Sequence, residues 1–435
     1  VTFDVAIVGG GAAGLAAARA LGRAGRSVIL LEAQEQAGGR IKSVLDPRSP
    51  VPIELGPEFI HGQPTVTLAL LRELGMTAVG EGGTSFEVDG ALRLTERRDG
   101  AFERAAEALR RGKGAKPGET VADLLARDTS AQGQKDAALV ARLVGGFDAA
   151  DPARASLREI AQEWAGDAMA SQARPSGGYA PLVAHLVRSL DEERVRLRFG
   201  ATVTSLAWSM RGVEVGAVVR GATRTFRARH AIVTVPIGVL QLPAGSRAAI
   251  AFDPPLPAAT VDAIAGIVMG PVVKVVMRFR SSFWERVQEG RLRDAAFFMT
   301  ESAFPTYWTQ VPQRAPLLTA WAGGPAAHAL RDLEREATLA LALAGAGNLF
   351  GDPSLVDDEC EAAYLHDWQR DPFSCGAYSY VLAGGEDARA QLRTPLADCL
   401  YFAGEATADG GEGGTVAGAL QSGQRAASIL CARTL

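Results

Sequence analysis

The chain opens on an apolar run, residues 5–8 (VAIV), which passes through three glycines into a segment dominated by alanine and leucine. A short continuous apolar run that stops at glycine reads as a strand buried on both faces. The Ala/Leu spacing after it predicts a helix from about Ala12 to Ala24, stopped by Gly25. Residues 27–31 (SVILL) supply the next buried strand, so the start of the chain predicts a β-α-β unit with parallel strands. From 100 to 190 the pattern turns mainly helical, as in AFERAAEALRRG and YAPLVAHLVRSL. Strands return in VRLRFGATVTSLAWS, GVEVGAVV and RARHAIVTV. PVVKVVMRF alternates as a strand does, and RDLEREATLALALAGAG predicts a further helix. The chain then repeats its opening grammar, strand to glycine to helix, in CLYFAGEATADGGEGGTVAGALQSGQRAASIL. No internal repeat is present.

Length divides this pattern into two cores, because 435 residues are too many for one. The expected class is α/β: a Rossmann-like dinucleotide-binding domain assembled from discontinuous segments (1–80, 176–262 and 390–435), with an inserted α+β substrate domain (81–175 and 263–389). A net charge of −4 leaves no basic excess to neutralise phosphates, which argues against nucleic-acid and anionic-membrane partners. The best membrane candidate, Ala337 to Gly347, is about half a bilayer span and lies in a helical pattern. The first strand begins almost at residue 1 and leaves no room for a signal peptide in this numbering. Cys360, Cys375, Cys399 and Cys431 form no C-x-x-C, and His61, His185, His230, His328 and His366 show no ligand spacing. Free thiols in a cytoplasmic protein without a metal are therefore expected.

The turn at the end of the first strand carries chemistry. Gly9, Gly11 and Gly14 form G-x-G-x-x-G: one glycine for the tight turn, one for close approach of backbone to a pyrophosphate, one for helix–strand packing. The helix N-terminus adds free N–H groups and partial positive charge. Glu32 ends the next strand, where a carboxylate accepts from a ribose hydroxyl; an acid there disfavours a 2′-phosphate and hence NADP. Arg40, after Gly38 and Gly39, is placed to meet the pyrophosphate from the other side. Alone, it would read as a solvated charge.

Several blocks in order, VAIVGGGAAGL, LEAQEQAGGR, ELGPEFIHG, VVKVVMRF, WQRDPFSCGAYSYV and YFAGEATADGGEGGTVAGALQSGQRAA, resemble the flavin-containing amine oxidases, the family of monoamine oxidases, polyamine oxidases and histone lysine demethylases. The resemblance implies FAD held by Gly9, Gly11, Ala13, Gly14, Glu32, Ala33, Gly39, Arg40, Val203, Gly404 and Glu405. Gly56, Pro57, Glu58 and Phe59 would lie beside the flavin ring, with Trp368 and Phe373 flanking it. Gly414, Thr415, Val416 and Ala419 would bring the small-residue start of the last helix against the ring's pyrimidine edge, where a helix N-terminus stabilises the negative charge of reduced flavin. Glu405 would bond the ribityl or pyrophosphate region.

By the same resemblance, Lys274 holds a water against flavin N5, Tyr378 walls an aromatic cage, and His61 lines the substrate channel. Residue chemistry alone leaves Lys274 the option of an edge strand facing solvent, and His61 that of a loop histidine bonded to backbone. Thr415 stands where monoamine oxidases have a second cage tyrosine, so the cage is half open. Ala377 stands where covalent members have cysteine, which implies noncovalent FAD. Glu58, Glu163 and Asp167 are candidates to attract a distal ammonium, although each reads first as a surface or helix-face acid. Trp308 and Trp321 read first as core. The implied reaction is hydride transfer from a neutral amine to the flavin, hydrolysis of the imine, and reoxidation by O2 with release of H2O2. It asks for no general acid–base constellation, and none is evident in the sequence. Three rivals remain: an L-amino-acid oxidase, disfavoured because residues 57–71 contain no arginine; an FAD-dependent desaturase or dehydrogenase; and a non-catalytic module like the GDP-dissociation inhibitors. Oligomeric state is not legible.

Overall fold

The structure, a computed structural model, describes residues 2–88, 93–96, 101–166 and 171–432. The opening strand, Thr2–Val8, is central in an eight-stranded sheet. It runs parallel to Val28–Leu31 on one side and to Ala222–Val233 on the other; Val195–Arg198 and Leu400–Phe402 extend the parallel part. Gly212–Val219 and Ala201–Ser209 continue it antiparallel. Val5, Ala6, Ile7, Val28, Leu30, Ala231 and Ile232 are fully buried, because helices or loops cover both faces. The first helix spans Ala12–Arg23, and Gly25 follows its cap at φ +75°, as the stop signal requires. It packs against the last helix, Val416–Ala432, at a separation only glycine and alanine allow: a Cβ on Gly423 would lie 2.1 Å from the carbonyl oxygen of Ala13.

A second, seven-stranded sheet draws its strands from residues 84–96 and 272–365, in the order Cys360–Leu365, Val272–Phe279, Leu317–Gly323, Thr306–Trp308, Ala295–Met299, Thr84–Val88 and Leu94–Glu96. Val272–Phe279 lies between two partners and is buried along its whole length. Its alternation sorts two kinds of residue. Val273, Val275, Met277 and Phe279 enter an apolar core with the helix Arg335–Phe350. Lys274, Val276 and Arg278 face the other way, toward the loops between residues 42 and 58; Arg278 pairs with Asp46 there and with Glu361 on the neighbouring strand Cys360–Leu365. Among the described residues no helix is long and apolar enough to cross a membrane.

A small three-stranded sheet (Ile60–His61, Gln172–Pro175, Ala78–Gly80) joins the two layers. The loop that leads into it, Leu55–Phe59, is held from behind by Glu54. This carboxyl accepts from Ser43 Oγ at 2.6 Å and from the backbone N–H of Tyr179 at 2.8 Å, while Tyr179 OH donates to Phe59 O at 3.0 Å. Burial pushes Glu54 up to about 7. A raised carboxyl stabilises the fold fully below its unfolded value of 4.5, and that contribution is lost as pH rises through the folded value. Glu54→Gln keeps one donor and one acceptor in place and removes the titration. Between pH 5 and pH 8.5 wild type should lose about 2–3 kcal/mol more stability than Glu54→Gln in denaturant titrations. Parallel pH profiles would show that this carboxyl carries no such strain.

Candidate active site

A cavity of about 770 Å3 runs from the first glycine turn to the second sheet. It opens at the carboxyl ends of the parallel strands, beside Val8, Leu31, Thr234 and Gly404, on either side of the central strand. The three glycines of the turn have different reasons to be glycine. A Cβ on Gly9 (φ +107°) would sit 2.7 Å from Thr234 Oγ1, and one on Gly14 would sit 1.9 Å from Gly9 O. These two serve the protein's own packing. A Cβ on Gly11 would meet only Gly38 O at 3.9 Å and Gly39 Cα at 4.0 Å, and Gly11 lines the cavity. The space above Gly11 is open, as a site for a closely approaching ligand must be.

Glu32 is 5% exposed and lines the same end of the cavity. Its carboxylate accepts from the backbone N–H groups of Gly10 (2.5 Å) and Gln34 (2.8 Å), yet burial pushes its pKa up. Ala13, Ala33, Gly39, Val203, Val416 and Ala419 also line the cavity. Arg40 lines it too, clasped by its Nη1 to Glu405 Oε1 and Ala377 O, both at 2.8 Å. Glu405 is a hub. Its other oxygen accepts from Ser379 Oγ (2.6 Å) and from Gly414 N–H (3.1 Å), and it ties the last strand to the start of the last helix. Thr415 caps that helix: its hydroxyl donates to Glu412 O (2.8 Å) and accepts from Gly418 N–H (2.9 Å).

At the far end, Lys274 is 1% exposed, so the edge-strand alternative does not hold. Its Nζ donates to Glu58 Oε2 at 2.8 Å and to Gly56 O at 3.3 Å, and it stands 5.6 Å from the Trp308 ring centroid. Glu58 is buried rather than a surface acid. Its second oxygen accepts from Arg174 Nε (2.9 Å), Trp308 Nε1 (3.1 Å) and Gln310 Nε2 (2.9 Å). Burial raises its pKa, but the adjacent Lys274 and Arg174 outweigh that and hold it well below the usual carboxylate range. Gly56, Pro57, Phe59, Trp368, Phe373 and Tyr378 line the cavity around this group, and Trp308 and Trp321 join them rather than packing only into core. Trp368 is fixed by an Nε1–H bond to Leu55 O, and Tyr378 by an O–H bond of 2.6 Å to Phe147 O. Gly414, at φ +72°, lets the last helix begin against the Tyr378 ring.

Two features escaped the sequence. The chain brings Asp148, at the end of the helix Ala131–Phe147, beside Glu163 on the helix Leu157–Trp164, and both line the cavity near Tyr378. Burial pushes both carboxyls up, Glu163 to about 7; Asp148 accepts from Trp164 Nε1 at 2.9 Å. The sequence, in which no acid–base constellation was evident, does not disclose this pair, and Glu163, read first as a surface or helix-face acid, is only 19% exposed and pairs with Arg389 at 3.5 Å. Asp167 lies outside the described residues. His61 is not bonded through Nδ1 to backbone or to anything else; its ring packs edge-on to Phe147 at 5.1 Å, and burial pushes its pKa down to about 4. The second feature is Arg174, whose extended strand carries no motif; only the pairing of that strand with Ile60–His61 brings it to Glu58. Among the described residues no cluster suited to a metal occurs, and all four cysteines are free.

Comparison with known proteins agrees with this geometry. Residues 12–431 match the profile of a family described as flavin containing amine oxidoreductase. Polyamine oxidase 4 of Oryza sativa subsp. japonica is 28% identical over 98% of this chain and 88% of its own length. Lysine-specific histone demethylase 2 of Homo sapiens is 26% identical over 99% of this chain and 53% of its own length. Among solved structures, putrescine oxidase bound to putrescine superposes with a TM-score of 0.82 at 22% identity, covering 100% of both chains. Cyclohexylamine oxidase from Brevibacterium oxydans IH-35A gives 0.82 at 23%, again over 100% of both. With its glycine turns, its strand order and its sequence profile in accord from end to end, this chain belongs to the flavin-containing amine oxidoreductases.

Proposed function

We propose that the chain oxidises a small amine with noncovalent FAD, using O2 as acceptor and releasing H2O2. The observation that carries this reading is the continuity of one cavity, from the open space above Gly11 to the aromatic slot at Tyr378 and Trp308. The residues present fit the cofactor. Gly11 and the N-terminus of the first helix would receive the pyrophosphate, Glu32 a ribose, and Gly56 to Phe59 with the N-terminus of the last helix the ring system. Among the described cavity-lining residues there is no cysteine, which supports noncovalent binding. When bound, flavin supplies a two-electron acceptor for the hydride of the amine's α C–H bond.

The protein's part is to bind, orient and dry. A free alkylamine, like a lysine side chain with a pKa near 10.4, arrives as a cation. The aromatic walls first attract that cation and then, by excluding water, lower its pKa toward the neutral form that can release hydride. Tyr378, held by its hydroxyl on Phe147 O, offers a fixed ring face rather than a mobile acid, since burial raises its pKa further. Glu163, which burial lifts to about 7, is in part a carboxylate at neutral pH and in that form takes the proton that the ammonium sheds. Lys274, anchored on Glu58, presents a fixed ammonium at the slot. An amino-acid carboxylate would need a free guanidinium, and Arg174 is already paired to Glu58. Free thiols support a reducing, cytoplasmic setting.

Anaerobic mixing of the flavin-loaded protein with monoamines, diamines and amino acids tests the reading. At least one amine class should bleach the flavin band, and admitting air should restore it with stoichiometric peroxide. Absence of bleaching with every amine class would refute it.

A further inference from the structure

Among the described residues, four that line the cavity carry a buried side-chain polar atom without a hydrogen-bond partner: Glu81 (Oε1), His61 (Nδ1), Thr67 (Oγ1) and Arg142 (Nε). Two of these residues, Glu81 and His61, belong together. They are neighbours in the small sheet. Gln172–Pro175 is its central strand, with His61 opposite Gln172 on one side. On the other, Gly80 lies opposite Ala173, and Glu81 N–H donates to Gln172 O at 2.9 Å, which continues the register so that Glu81 stands opposite Gln172. Residues directly opposite one another in antiparallel pairs project from the same face. His61, Gln172 and Glu81 thus form one row across three strands, and all three line the cavity. With strands 4.7–4.9 Å apart, the His61 and Glu81 backbones are separated by roughly 10 Å.

A buried carboxyl oxygen without a donor destabilises the fold unless something else fills the vacancy. Burial pushes Glu81 up to about 7; Arg174 pulls it down and Glu58 pushes it up. Neither neighbour bonds it, because Arg174 is occupied by Glu58, Thr309 O and Val311 O. Of the two arginines that do line the cavity, Arg142 is paired through Nη2 to Glu87 and Arg40 to Glu405. The way from Glu81 to Tyr378 passes His61, whose low pKa keeps the ring uncharged at neutral pH, and Phe147, which His61 meets edge-on. A cation travelling this way meets π faces and a neutral imidazole, with an acid at each end: Glu81 at one, Asp148 and Glu163 at the other.

We propose that Glu81, with the Gln172 amide beside it, binds a second cationic nitrogen of the substrate, so that the preferred substrate is a linear amine with two protonated nitrogens, one held at Glu81 while the other reacts beside Tyr378. This rests on amine oxidation at the aromatic end and adds a specificity-determining residue. Binding turns the unpaired oxygen into a charge-assisted hydrogen bond.

The test compares linear α,ω-diamines of increasing length with monoamines in which a methyl replaces the far ammonium, in wild type, Glu81→Gln and Glu81→Asp. In wild type the diamine should be favoured in kcat/KM by roughly tenfold or more, with an optimum chain length. Glu81→Gln should bring that ratio close to unity, chiefly through KM; Glu81→Asp, a charge on a shorter arm, should retain part of it and shift the optimum to a longer diamine. Calorimetric titration with α,ω-diguanidinoalkanes and their monoguanidino counterparts reads the same preference without turnover. An undiminished ratio in Glu81→Gln, or equal affinity of the two guanidines for wild type, overturns the proposal. Should wild type oxidise no amine at all, the amine-oxidase reading fails by itself, and the guanidine titrations still decide whether Glu81 is a cation site.

Discussion

Glu58→Ala is expected to lower the stability of the folded protein by about 3–5 kcal/mol at pH 7. The reason is the company Glu58 keeps. Lys274 and Arg174 are 1% and 6% exposed, and both take their counter-charge from this one carboxylate. Truncation leaves two buried cations with backbone carbonyls but without this counter-charge, and strips the Trp308 and Gln310 N–H groups of their acceptor as well. The pH dependence has a definite sign. A carboxyl whose folded pKa is depressed contributes stability above its unfolded value of 4.5 and loses it as pH falls through the folded value. The gap between wild type and variant should therefore be full at pH 6–8 and narrow under acid conditions. Urea titrations at pH 7 and pH 4 would check this; a loss under 1 kcal/mol at pH 7 would mean that the three charges do not share a dry site.

The second large effect separates two glycines of one turn. Gly14→Ala places a methyl 1.9 Å from Gly9 O, so the first helix must move off the first strand. The protein should lose both its flavin and several kcal/mol of stability, as overpacking of a close backbone contact does. Gly11→Ala meets nothing of the protein's own closer than 3.9 Å. Its apoprotein should unfold within about 0.5 kcal/mol of wild type, while flavin affinity falls by two orders of magnitude or so, because the methyl occupies ligand space. Flavin titration of the two apoproteins, beside their denaturation curves, reads the contrast directly. Gly11→Ala binding flavin as tightly as wild type would show that the cofactor does not reach this turn.

What the sequence could and could not disclose follows from range. The first strand, its turn and its helix are local events, so Gly9, Gly11, Gly14 and Glu32 were legible from a window of neighbours. The alternation around Lys274 was legible too, but not which face was inward; that depends on Cys360–Leu365 and Leu317–Gly323 closing over both edges. Glu58 read as a surface acid because its cations come from residues 174 and 274, and no local pattern announces a buried pair. Asp148 and Glu163 belong to two separate helices, and the bond from Trp164 Nε1 to Asp148 that joins them is a tertiary contact without a local pattern. Glu81 offered no signal at all. Its meaning comes from being the residue after a short edge strand in a sheet assembled from three distant segments, and the detectable trace is an oxygen without a donor.

The close seating of the last helix on the first has a consequence for how the protein is made. The glycine turn near residue 10 is translated long before the helix that completes the cavity, which seats Gly423 against the Ala13 carbonyl. Until that helix emerges the nucleotide cradle stands open on one flank. Cofactor capture must wait for this docking, so flavin scarcity in the cell would be felt as an accumulation of unloaded polypeptide rather than as stalled translation.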